Sequence, residues 1–316
     1  MSSRMTSPRL WAALLSLAPA VAAAQPATPP AAAGQKLVIA IYAPTAPFDS
    51  GDARYQYVQR LAQHIGSVAG VPSEGKAYNR LGDFEAALKK GDIHFAIVDA
   101  LLVAEQSFPR VIAQATSGGK TSLPWALFAS PSSGARRAAD LSGKRLAYVS
   151  AGRKDLAFVE HGLLDSVVNV SKFFAGKPQS APDVPSAVQT VALGKADAVC
   201  VPVAKAKGLN KVFDAGSVPL PAFVQAKAGV PEATVSTVSK AVLSYGAGGA
   251  LDGWKASGAE AYRSLAGQMS PKVKKPVMAD PDPVKISSSE ALVLDAPAPA
   301  QLDVARYFLQ PKIEGL

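Results

Sequence analysis

One cysteine and three histidines are all that the 316 residues hold of the two side chains most used for soft metals and nucleophiles. A lone Cys200 excludes an internal disulfide. Its apolar setting, Ala198-Val199-Cys200-Val201, points to a buried structural thiol rather than a reactive one. His64, His94 and His161 lie far apart, with no HxxxH or HExxH spacing, so no metal site is expected. GxSxG, Walker A and GxGxxG motifs are missing too, which leaves enzyme chemistry and a bound cofactor without support. Aromatic residues make up only 7% and do not interleave a basic block, so nucleic acid is not expected as a partner. Beyond the first two dozen residues no apolar run is long enough to cross a bilayer.

What is present begins with a leader. Arg4 and Arg9 precede the apolar run Leu10 to Val21, and Ala22-Ala23-Ala24 then suits signal peptidase, so residues 1–24 read as a cleaved export signal. Residues 25–35 (QPATPPAAAGQ) form a Pro/Ala linker. The remainder is 48% hydrophobic across the whole chain, enough for two cored domains. The net charge of +9 comes from scattered Lys and Arg, which reads as a solvated basic surface.

From Lys36 onward, strands alternate with amphipathic helices, the pattern of an α/β fold with mainly parallel sheets flanked by helices. Lys36 to Ala43 (KLVIAIYA) is a strand buried on both faces. Asp52 is placed to cap a helix with Tyr55, Val58, Leu61, Ala62 and Ile65 on one face. Asp83 and Gly91 bracket a second helix, Ile93 to Val98 is a strand, and Asp99 is placed to cap Ala100 to Gln106. Val111 to Ala115 and Trp125 to Ala129 are strands around the Gly118-Gly119-Lys120 loop. The unit then repeats, with a strand Arg145 to Val149, a helix Arg153 to Leu164, a strand near Lys172 to Ala175 and a helix Pro185 to Leu193 behind Asp183. Strands at Ala198 to Val201, Lys211 to Phe213 and Ala222 to Ala226 come next. A helix opening at Pro231 follows, then helical pieces at Leu251 to Ala256 and Ala259 to Leu265. From Ser270 prolines interrupt every element, so residues 271–316 read as an extension.

Open parallel sheets place ligands at the bends beyond strand carboxyl ends. Four bends qualify: Tyr42 to Asp52, Asp99-Ala100, Gly118 to Thr121 and Ser150 to Lys154. At the last, Ser150 offers a hydroxyl and free helix-terminal N–H groups, Gly152 a close backbone approach, and Arg153 a charge. The bland alternative, in which Ser150 only caps its helix and the cations face solvent, stands beside it. Asp99 at a second mouth repels anions and attracts amines, or is a plain cap. Tyr42 walls a cleft or packs in a core, and Lys120 adds a cation at the third bend.

The order VIAIYAP, LGDFEAALKKGDIHFAIVDA, PWALFAS, DLSGKRLAYVS, VALGKADAVCVP and VPLPAFVQAKAGVPE resembles the phosphate/phosphonate-type periplasmic solute-binding proteins of ABC importers. The resemblance runs from about Lys36 to Gly267 and implies a two-lobed type II periplasmic-binding fold, with a two-strand hinge. It implies lobes closing around an anion held by hydroxyls and backbone amides at helix N-termini. The family's Ser/Thr-Ser-Gly element falls at Ser150-Ala151-Gly152, with Ala151 where a hydroxyl is expected, and Asp99-Ala100 replace small or hydroxylated residues and a tyrosine. The expectation is therefore a non-catalytic periplasmic protein, monomeric and not membrane-spanning. It would bind a small, phosphonate- or phosphate-like ligand for a membrane permease, at Ser150, Gly152, Arg153, Asp99, Tyr42 and Lys120. Lobe 1 is expected over 36–130 plus 222–270 and lobe 2 over 131–221, with crossings near Ser130 and Pro221. An exported sensor or interaction protein, using its tail on a partner, is the alternative.

Overall fold

A computed structural model describes residues 36–270; the expected signal, linker and extension, 1–35 and 271–316, lie outside the described residues. The first lobe is built on β1 (Leu37–Tyr42), α1 (Gly51–Ala69), β2 (Ser73–Ala77), α2 (Leu81–Lys90), β3 (Phe95–Val98), α3 (Ala100–Glu105) and β4 (Arg110–Thr116). The second holds β5 (Ser122–Ala129), β6 (Leu146–Val149), α4 (Asp155–Ala157, continued by a wider π-type turn to Leu163), α5 (Val170–Phe173), β7 (Gln179–Ala181), α6 (Val184–Ala192), β8 (Ala198–Pro202) and β9 (Asn210–Pro219). The chain returns through β10 (Ala222–Gln225), α7 (Glu232–Leu243), β11 (Gly253–Ala256) and α8 (Glu260–Gln268).

Two mixed sheets result, ordered β11-β4-β10-β3-β1-β2 and β7-β6-β8-β5-β9. In each, three strands run parallel (β1 with β2 and β3; β6 with β7 and β8) and the strands beyond them pair antiparallel. The parallel strands are buried throughout where they are most apolar: LVIAIY and FAIV show no exposed residue, as strands covered by helices on both faces must. The same order in both lobes brings the carboxyl ends of β1 and β6 together, where Tyr42 Oη lies 3.5 Å from Ser150 O.

The crossing segments lie earlier than the sequence reading placed the first of them. β5 belongs to the second sheet, so the chain changes lobes between Thr116 and Ser122, before β5 rather than after it at Ser130. Pro131 marks only the end of that strand. The physical join is the Gly118-Gly119 turn, where both glycines take positive φ (57° and 72°) and Ser117 pairs with Lys120. The return passes Leu220-Pro221, whose backbone bonds Thr121 and Ala115 (Leu220 N–H to Thr121 O, 2.8 Å; Ala115 N–H to Pro221 O, 2.9 Å). Two crossing strands thus brace each other. α8 spans both lobes, with Tyr262 buried and donating its hydroxyl to Leu220 O at 3.0 Å.

Several local expectations are corrected. The region expected as a strand from Lys172 forms α5, because the Asn169 side chain accepts from Lys172 N–H and so supplies the missing helix cap. The true edge strand is β7, in a stretch read as loop. Leu251 to Ala256, expected helical, ends in β11, where Trp254 leaves the helical pattern to bury its ring and donate to Tyr57 Oη at 3.1 Å. On α1 the buried face includes Arg54 and Tyr57, while Tyr55 is 43% exposed; Ser50, not Asp52, caps the helix, and in α2 the cap position is Arg80, with Asp83 inside the first turn.

The α1–β2 packing leaves no room at Gly75. A Cβ there would sit 2.6 Å from Val58 O. Gly75→Ala is therefore expected to lower unfolding free energy by about 1–3 kcal/mol, the usual cost of overpacking, and a urea titration would read it as a lower midpoint at unchanged slope.

Candidate functional site

The cleft groups come from both lobes and from ends of elements. Tyr42 closes β1; its ring stacks on Phe84 of α2 with centroids 5.3 Å apart and its hydroxyl lies 3.5 Å from Ser150 O of the other lobe. Burial raises the Tyr42 phenol strongly, so it stays a neutral donor. Asp99 follows β3, is fully buried, and caps α3 by accepting from Leu101 N–H at 3.1 Å. It also accepts from Thr45 N–H (2.8 Å) and Thr45 Oγ1 (2.7 Å), tying the β1–α1 loop to the head of α3.

Burial pushes the Asp99 carboxyl up to about 6, against the pull of its hydrogen bonds to Thr45 and Leu101. Folded chains therefore hold more protons at this site than unfolded ones between the ordinary value of 3.8 and about 6. The Asp99 share of stability is fully present below that window and is lost as pH rises through it. Relative to Asp99→Asn, the wild type is expected to lose about 2 kcal/mol between pH 4 and pH 7, measured by urea unfolding at each pH.

In the second lobe the bend after β6 holds Ser150, Ala151, Gly152, Arg153 and Lys154. Asp155 turns back onto it. Its carboxylate accepts from Ser150 Oγ (2.8 Å), Ala151 N–H (3.0 Å) and Gly152 N–H (2.6 Å). Burial raises Asp155 and those three bonds oppose the rise. The next two amides go to the other lobe: Arg153 N–H and Lys154 N–H each donate at 2.7 Å to Glu105 at the end of α3. The Arg153 guanidinium meets Glu85 of α2 at 2.6 Å. Beside that pair a groove of about 610 Å³ opens to solvent.

Arg54, in the first turn of α1, completes the cleft. It is 2% exposed, donates from Nη2 to Asn79 Oδ1 at 2.5 Å and stands 3.8 Å from Asp183, the cap of α6 in the other lobe. Its Nε is buried with no hydrogen-bond partner. Burial lowers the Arg54 guanidinium, while Asp183 is the largest opposing influence. A buried N–H of a cation without an acceptor is costly.

Five of the six expected site residues thus meet: Tyr42, Asp99, Ser150, Gly152 and Arg153 line the facing ends of the sheets. Lys120 does not join them; it is exposed on the lobe-crossing turn. Sequence reading missed Arg54, Glu105, Thr45 and Asp155. One signal was available for Arg54, which lies four residues before Val58 and seven before Leu61, on the apolar stripe of α1. A charge on a buried stripe asks for a partner.

The model of the periplasmic substrate-binding proteins of phosphonate ABC transporters matches residues 45–266. The chain belongs to that family. Its members are substrate-binding, not catalytic, proteins of the periplasm that work with an ABC permease. Among solved structures, it resembles a binding protein component of an ABC phosphonate transporter from Pseudomonas aeruginosa (11% identity, 76% of this chain, 90% of that one, TM-score 0.57). It also resembles a Prochlorococcus marinus protein in complex with methylphosphonate (11% identity, 74% and 96%, TM-score 0.59). A Xanthomonas citri protein bound to ATP is similar as well (12%, 75% and 97%, TM-score 0.57). No curated protein matches the chain. The two-lobed α/β fold expected from the sequence is the one these proteins share. Among the described residues no helix is long and apolar enough to cross a membrane. The expected hydroxyl–glycine bend after β6 is filled by the chain's own Asp155 and Glu105.

Proposed function

We propose that this chain is the solute-capturing component of an ABC-type importer. As a monomer, it takes a small polar oxyanion, phosphate- or phosphonate-like, between its lobes and delivers it to a membrane permease. The observation that carries this reading is Arg54: a guanidinium buried between the lobes with an unpartnered Nε, within electrostatic range of the Tyr42 phenol. An oxyanion accepts from both and contacts the second lobe at the Ser150 bend, so it binds the closed form better than the open one. The family supports capture of a small molecule; the anion and the importer role are our reading. Residues 271–316, on which a sensor or interaction protein would depend, lie outside the described residues, and family membership favours transport.

A thermal-shift panel of phosphate, methylphosphonate, sulfonates, carboxylates and amines tests it. An oxyanion at one hundred times its Kd is expected to add about 2.7 kcal/mol of stability. Stabilisation by amines alone would contradict the reading, since a cation gains nothing from Arg54.

A further inference from the structure

We infer that Glu105 is a tethered anion: reaching from the first lobe, it holds the second lobe's amide bend and closes the cleft without an added solute. The inference rests on the two-lobe capture reading and concerns how that same site is regulated. Both Glu105 oxygens are engaged, Oε2 by Arg153 N–H and Oε1 by Lys154 N–H, each at 2.7 Å. Two successive amides on one carboxylate is the arrangement an external oxyanion would take at a helix start. Here the chain supplies it across the lobe boundary.

Gly152 is fitted to that carboxylate. A Cβ on it would lie 2.5 Å from Glu105 Oε1, and its φ lies outside the left-handed range, so proximity and not backbone conformation calls for glycine. The contact is reinforced by Arg153 on Glu85 at 2.6 Å, a second tie between the same two lobes. On another side of the cleft, Lys205 of the second lobe meets Asp49 of the first at 2.7 Å. Surface pairs of this kind contribute little by themselves, but the Glu105 contact uses main-chain donors that no side-chain movement can withdraw.

A tethered carboxylate competes at an effective concentration of millimolar order. A free oxyanion must displace it, so Glu105 sets a threshold of solute below which the bend stays self-filled.

The test uses the mature full-length protein, read by hydrogen exchange across residues 150–158 and by small-angle scattering, with methylphosphonate and phosphate as probes. Without probe, the wild type is expected to protect the Arg153 and Lys154 amides and to show the same radius of gyration with and without ligand. Glu105→Gln is expected to expose those amides, enlarge the apo radius, and bind the probe about tenfold or more tightly, the scale of one charge-assisted hydrogen bond. Gly152→Ala, whose Cβ displaces the carboxylate without removing it, is expected to expose the amides and enlarge the apo radius. It is not expected to tighten probe binding, since the same Cβ stands where an oxyanion would sit, and it guards against a variant that fails by misfolding. Wild-type amides that exchange as fast as those of Glu105→Gln, or an apo wild type as expanded as that variant, would overturn the inference. Should the variants open as expected while neither probe binds any form, the tether stands and the oxyanion reading is the one that fails.

Discussion

Asp155→Ala is expected to cost the folded chain about 2–4 kcal/mol, because two buried amides, Ala151 and Gly152, and the Ser150 hydroxyl lose their common acceptor. Each unsatisfied buried donor costs about 1–3 kcal/mol. For a described body of this size each kcal/mol is about 2–4 °C, so calorimetry should show Tm falling by roughly 5–15 °C. The informative part is rescue. Formate or phosphate should restore much of the lost Tm in Asp155→Ala and do less for the wild type, since only the variant has the bend empty of its first carboxylate. A variant that loses stability and ignores both anions would show that the bend is packed rather than anion-binding in character.

The second large effect belongs to Arg54. Arg54→Met keeps the stem that packs in α1 and removes the guanidinium. Two separate losses are expected. Stability falls by about 1–3 kcal/mol, from the Asn79 hydrogen bond and from Asp183, which loses its cation across the cleft while still capping α6 by accepting from Ser186 N–H at 3.0 Å. Binding of an oxyanion falls by about a hundredfold or more, the scale of a charge-assisted hydrogen bond together with its buried charge. A variant of normal affinity and lowered Tm would make Arg54 purely structural.

The two lobes were legible because their strands announce themselves. LVIAIY, FAIV and AVCVP are apolar on both faces, and glycines such as Gly91 end helices where only a left-handed residue fits (φ 73°). The edges were less legible. β7 has three residues, two of them exposed, and β11 alternates weakly, so their pairing is decided by neighbours distant in sequence. The site was legible only as far as single bends go. Ser150, Gly152 and Asp99 stand at strand ends and could be nominated one by one. What fills them could not: Glu105 reaches Arg153 across 48 positions, and Thr45 reaches Asp99 across 54. Contacts that exist only when two lobes face each other leave no local pattern. Asp155 is different, because it lies five residues after Ser150 and was within reach of sequence reasoning. Reading that bend as a place for an external anion hid the acid already beside it.

The same geometry separates this chain from a simple open receptor. Of the amides presented by the bend after β6, those of residues 151–154 all point at carboxylates of the protein, two at Asp155 and two at Glu105. On the facing lobe Arg54 keeps a buried Nε without an acceptor, as do His94 Nε2 and Tyr245 Oη elsewhere among the described residues. On the proposed reading, an oxyanion pairs with the Arg54 guanidinium and reaches the amide bend only after Glu105 withdraws. On that reading, lobe closure and solute capture are distinct steps.

Titration calorimetry of the mature protein with methylphosphonate and with phosphate, for the wild type and Arg54→Met side by side, tests the central claim most directly. The account predicts saturable one-to-one binding of at least one of the two anions by the wild type and its loss, by about a hundredfold or more, in Arg54→Met. Binding of equal strength in both proteins, or heat from neither anion with the wild type, would contradict it.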